Sequence, residues 1–196
     1  MKKLWIILGV VGLLILLMVF SIMGSYNNMV TKDESVTGAW SQVENVYQRR
    51  ADLIPNLVNT VKGYATHERE TLEGVVNARA KATSTTIDPS KLNAESIQQF
   101  AAAQDGLSSA LSKLMVVVER YPDLKANQNF LELQAQLEGT ENRITVERQK
   151  FNETAKDFNT YIRKFPKNIW ARLFGFEKKD YFESQAGAEK APEVQF

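Results

Sequence analysis

Residues 36–65 read VTGAWSQVENVYQRRADLIPNLVNTVKGYA. Two seven-residue rows run through them: Val36, Val43, Arg50, Leu57 and Tyr64, and Trp40, Tyr47, Ile54 and Val61. A seven-residue repeat sets both rows on one side of an α-helix, as a stripe that packs along its whole length. The spacing predicts a long helix from about Ser25 to Ala65. Pro55 lies inside it. Proline removes one backbone hydrogen bond and its ring meets the preceding turn, so a kink is expected near Ala51–Pro55.

Upstream, residues 4–23 read LWIILGVVGLLILLMVFSIM, with no charge and nothing more polar than Ser21. A helix of this length spans roughly 30 Å, the thickness of a bilayer's hydrocarbon core. A cleaved signal peptide would have a shorter apolar core and a small-x-small exit. The exit here, Phe20-Ser21-Ile22-Met23-Gly24-Ser25-Tyr26, offers no such site, which favours a retained anchor in the lipid bilayer. Lys2 and Lys3 precede the run, whereas Lys32 on the far side is followed at once by Asp33 and Glu34. That bias places the N-terminus in the cytoplasm and the domain outside the inner membrane. Gly24 is the only weak breaker between anchor and stripe, so one helix can serve both. The chain has no cysteine, so neither a lipid anchor on cysteine nor a disulfide is available.

Downstream, Thr66 is a plausible N-cap for a helix over about His67–Lys81, and one bent helix over Ser25–Ala82 is the alternative. The run Thr83–Ser90 reads as a loop. A third helix is expected over Ala94–Arg120, with the stripe Ile97, Phe100, Leu107, Leu111, Leu114 and Val118. A fourth is expected over Lys125–Lys164, where Phe130, Leu137, Ile144, Phe151, Phe158 and Phe165 recur every seven residues. Phe165-Pro166 stops it. Strand signatures are missing. Short loops between long amphipathic helices imply antiparallel neighbours, so the fold class is all-α. The organisation is a transmembrane anchor (1–24), a four-helix-type bundle (25–166) and an aromatic C-terminal tail (167–196). The tail carries Trp170, Phe174, Phe176, Tyr181, Phe182 and Phe196, flanked by Lys164, Lys167, Arg172, Lys178 and Lys179. Its rings either fold back over the bundle, the commoner fate of aromatics, or dock on a membrane or partner.

Little here points to catalysis. Lys and Arg total 24 against 23 Asp and Glu, and no basic stretch suggests nucleic acid. There is no Gly-rich phosphate loop and no cysteine nucleophile. His67-Glu68 lacks the second histidine of a zinc-protease helix, because position 71 is Thr. His67 is therefore read as a solvated residue at a helix start, and no cofactor is implied. Arg50 is more informative, being a cation on an apolar stripe. Glu147 holds a similar place in the row Leu133, Thr140, Glu147, Thr154, Tyr161. A buried charge must be paired, so an Arg50–Glu147 pair that fixes helix register is one expectation. Snorkelling of Arg50 to water at the kink is the other.

Several segments together resemble the LemA family. They are Tyr26–Val30, Ala39–Val43, Arg49–Val58, Val61–Ala65 with His67-Glu68, Tyr121–Ala126 with Asn129-Phe130, Leu137-Glu138, Glu141–Ile144, Arg148 with Phe151-Asn152, Phe165-Pro166, and Pro192–Phe196. Phe151 and Phe158 stand where the family often has Tyr. The resemblance implies a bacterial single-pass membrane protein with an antiparallel helical bundle. It brings no catalytic residues. It implies links to membrane shaping through a magnetosome-associated relative, and to membrane proteases and envelope stress through others. The signature residues Trp40, Arg49, Arg50, Asp52 and Pro55, with Glu147, are expected to serve folding or contact. The expected function is a non-enzymatic cell-envelope protein that self-assembles as a homo-oligomer or scaffolds membrane partners. The alternative is an adaptor or regulator of a membrane protease or other envelope enzyme.

Overall fold

The computed structural model describes residues 2–183, with Ser90 described by its backbone alone. The helices are α1 (Lys2–Lys62), α2 (Arg69–Ser84), α3 (Ala94–Val118), α4 (Pro122–Lys125), α5 (Gln128–Arg163) and α6 (Lys167–Leu173), with a 3-10 turn at Pro89–Lys91. No strand forms among the described residues.

α1 is one helix of 61 residues. At 1.5 Å per residue it is roughly 90 Å long. The apolar run at its start touches nothing: every large side chain from Leu4 to Phe20 is exposed. A core helix of a soluble protein would bury such a run, whereas this one is long and apolar enough to cross a membrane. Neither Gly24 nor Pro55 breaks α1, so the apolar run continues directly into the bundle.

The soluble part of α1 buries the predicted stripe: Val36, Trp40, Val43, Tyr47, Arg50, Ile54, Leu57 and Val61. Tyr64 falls beyond the helix and is exposed, its phenol accepting from Asn127 Nδ2 at 2.9 Å. Cross-helix contacts fix the topology. α5 runs antiparallel to α1, since Glu141 meets Arg50, Phe151 meets Trp40 and Tyr161 meets Lys32. α2 descends beside α1, with Arg79 at Ala51. α3 rises again, from Phe100 at Trp40 to Tyr121, just past its end, at Glu68. α1, α2, α3 and α5 thus form an up-down-up-down antiparallel bundle.

Local chemistry sets the helix boundaries. Thr66 does not cap α2. Residues 63–67 turn instead, and α2 begins at Arg69. Glu68 looks across to α3, accepting from Tyr121 Oη at 3.0 Å and pairing with Arg120 at 2.9 Å. α3 starts where Asn93 and Ser96 form a reciprocal capping box. The fourth predicted helix is α5, which begins three residues late at Gln128, and a short helix precedes it. Pro122 opens the short α4, and Asn127 starts α5 by accepting from the Phe130 amide at 3.1 Å. At the other end α5 stops at Arg163, so Phe165 leaves the stripe and is exposed.

The apolar core comes in two clusters. One surrounds Trp40, Phe100, Phe151 and Phe158 on the side nearer the apolar run. The other surrounds Ile54, Leu57, Leu107, Leu114 and Phe130 on the far side. Arg50 and Gln104, both buried, belong to neither and sit at the level between them.

Candidate functional site

Three arrangements concentrate the polar chemistry of the bundle. The first is the layer at Arg50, which is 2% exposed. Its Nη1 donates to Ser108 Oγ at 2.9 Å and to Glu141 Oε2 at 3.0 Å. Its Nη2 donates to Gln104 Oε1 at 2.8 Å and to the Gln104 carbonyl at 3.2 Å. Gln104 Nε2 in turn donates to the Ala82 carbonyl of α2 at 3.2 Å. One guanidinium thereby ties α1 to α3 and α5 directly and to α2 through a single amide. The planar fork of arginine, with five donors, suits this divergent set of acceptors. The guanidinium also lies 5.1 Å from the Tyr47 ring centre. Burial pushes the Tyr47 phenol up from its ordinary range, against the opposing charges of Arg148 and Arg50.

The expected Arg50–Glu147 pair does not form. Glu147 pairs with Lys150 on its own helix at 2.7 Å. Glu141 takes its place, reaching Arg50 from a half-exposed position. Six residues separate the two acids, about 9 Å along a helix. Arg50 is therefore paired and does not snorkel.

The second arrangement explains the proline. Pro55 has no amide hydrogen, so the carbonyl of Ala51 four residues earlier has no helical donor. Ala51 is buried. Arg79 of α2 supplies the missing bond, its Nε donating to the Ala51 oxygen at 2.7 Å. Pro55 itself faces outward, as do Arg49 and Asp52. Asp52 accepts from Gln48 Nε2 one turn back at 2.7 Å. Of the signature residues, Trp40 and Arg50 are core, Pro55 acts through its backbone, and Arg49 and Asp52 are surface.

The third arrangement holds the tail. After α6 the chain turns back along α5. Asn159 brackets Lys179, accepting from its amide at 2.9 Å and donating to its carbonyl at 2.7 Å. Asn152 does the same for Phe182, at 2.9 Å in both directions. This places Phe182 parallel to Trp40 at 5.8 Å between ring centres, and edge-on to Phe151 at 5.6 Å. Phe100 and Phe151 meet Trp40 edge-on from the other helices, at 5.2 and 5.5 Å. Such aromatic pairs contribute about 0.5–1.5 kcal/mol each beyond the area they bury. Glu44, one turn after Trp40, has its carboxyl pushed up by burial, with the Trp40 indole opposing. Trp170, Phe176 and Phe182 thus pack on the bundle. Phe196 lies outside the described residues.

Gln104, Ser108, Glu141, Arg79, Asn152 and Asn159 were not candidate site residues in the sequence, although Glu141 and Asn152 stand in the segments that carry the resemblance. Three had a signal. Gln104 interrupts the apolar row Ile97, Leu111, Val118, just as Arg50 interrupts its own. Asn152 and Asn159 are seven residues apart and share a face. Among the described residues no group of three or more His, Cys, Asp or Glu could hold a metal ion. His67 is exposed.

The LemA family profile matches residues 39–196. Magnetosome protein MamQ 2 of Paramagnetospirillum magneticum is 27% identical over 181 residues, covering 84% of this chain and 66% of that protein. Magnetosome protein MamQ of Magnetospirillum gryphiswaldense is 27% identical over 184 residues, with 83% and 66% covered. Protein LemA of Metamycoplasma hominis is 25% identical over 153 residues, with 78% and 66% covered. The chain spans just under two thirds of the length of these relatives. With its helical core and its long apolar leader, the chain belongs to the LemA family.

Proposed function

We propose that this protein is a non-enzymatic, single-pass membrane scaffold that associates with copies of itself through its bundle. The observation that carries this reading is the continuity of α1 from an exposed apolar run into the buried bundle core. A flexible linker would let the domain wander. A continuous helix gives it a fixed bearing on the bilayer and confines it to two dimensions, where its effective concentration towards other anchored copies is high. The polar layer at Arg50 points inward and sets register, which suits a rigid building block. Two of the relatives are named magnetosome proteins, and a structural role at a membrane is in keeping with that name. The anchor is assigned to the inner membrane, with the bundle on the extracytoplasmic side, on the Lys2-Lys3 bias.

Cross-linking of the full chain in intact cells tests this. The reading expects a ladder at multiples of 22.2 kDa, persisting at native expression. A species that stays monomeric under all cross-linking conditions contradicts it.

A further inference from the structure

The stretch 163–173 reads RKFPKNIWARL and holds four cations, Arg163, Lys164, Lys167 and Arg172, and no acid. None of the four forms an ion pair with a described acid. Among them stand apolar side chains that the bundle leaves uncovered. Phe165 is 81% exposed, Ile169 51% and Leu173 69%. Ile169 and Leu173 are four residues apart on α6 and share one of its faces, and Phe165 lies in the turn that leads into it. The other side of α6 is spoken for, with Ala171 buried and Trp170 packed on the core.

The position of α6 decides what covers that face. Phe174, which follows α6, meets Tyr26 edge-on at 5.0 Å, and Phe176 meets it at 5.9 Å. Tyr26 is three residues past Met23, the end of the apolar run. Three residues advance a helix by about 5 Å. The headgroup layer on each side of the hydrocarbon is roughly 5–8 Å thick. α6 therefore lies at the depth of that layer.

We propose that α6 with Phe165 is an interfacial helix, seated in the bilayer that α1 crosses, with its cations on anionic phospholipid headgroups. An apolar face rimmed by lysine and arginine is the composition of such helices. A second copy of the same patch is a poor occupant, because a symmetric contact would bring the four cations of each copy together. This inference rests on the anchoring of α1. It adds a second membrane contact, which fixes the tilt of the bundle against the bilayer.

The absence of cysteine makes the test direct. Ile169→Cys, Leu13→Cys in the apolar run and Val116→Cys, exposed at the far end of α3, each receive an environment-sensitive fluorophore. The full chain is reconstituted into liposomes of phosphatidylcholine and phosphatidylglycerol carrying a spin-labelled lipid quencher. Circular dichroism confirms folding, and Leu173→Cys replaces Ile169→Cys if that variant misfolds. Quenching at Leu13 and Ile169 but not at Val116 is expected. It should fall at least about twofold at Ile169 in pure phosphatidylcholine, or with Lys164, Lys167 and Arg172 changed to Gln. Quenching at Leu13 with Ile169 as bright as Val116 overturns the interfacial helix and leaves the anchor standing. No quenching at Leu13 overturns both. An unquenched Ile169 that cross-links to its own copy assigns the face to self-association instead. Quenching indifferent to both lipid charge and the Gln changes overturns the headgroup assignment.

Discussion

Arg50 places a guanidinium in a core of otherwise apolar stripes, and four hydrogen bonds to Ser108, Glu141 and Gln104 offset its desolvation. The gain is specificity of register, because only one alignment of α1, α3 and α5 presents all three partners at once. Arg50→Ala removes the donor, leaves a void and strands the buried Gln104 side chain. We expect a loss of about 2–4 kcal/mol in chemical denaturation. Arg50→Met refills the volume and should lose clearly less than Arg50→Ala. Equal losses for the two variants would mean that the charge network, and not packing, carries the whole effect. That Arg50 mattered was legible, since a charge on an apolar stripe has to be paired. Its partner was not. A seven-residue row ranks candidates on one helix but says nothing of how that helix slides and turns against another, and Glu141 lies about 9 Å and roughly 120° around the helix from Glu147.

The α1–α2 contact shows how an apparent helix breaker becomes a docking point. Pro55 leaves the Ala51 carbonyl open, and Arg79 closes it at 2.7 Å. The two residues should be energetically coupled. Arg79→Ala leaves a buried carbonyl without a donor and should cost about 1–3 kcal/mol. In a Pro55→Ala background residue 55 can donate its own amide, so the same change should cost less. A double-mutant cycle with a coupling of about 1 kcal/mol is expected, and full additivity would contradict the pairing. Helix type and stripes were legible across α1, α3 and α5 because their period is sustained. The start of α2, the separate α4 and the exposure of Phe165 were not. Each depends on a turn or a long-range contact, such as Glu68 with Tyr121 and Arg120, that a single sequence does not display. The path of residues 176–183 was also hidden, because the paired hydrogen bonds of Asn152 and Asn159 exist only once α6 has turned the chain back.

At the scale of the whole molecule, a helix roughly 90 Å long joins an apolar span to a bundle divided by one polar layer. Apolar run, aromatic core cluster, polar layer and far core succeed one another along α1. Composition alone conveyed the apolar run of residues 4–23. The height at which each layer sits came only from the packed structure. The account depends above all on residues 4–23 remaining attached to the bundle. The most direct test is the intact mass of the protein extracted from carbonate-washed membranes. The account predicts a species of about 22.2 kDa that resists the wash. A species shortened by roughly its first two dozen residues, the length of a cleaved signal segment, and released into the soluble fraction would contradict it.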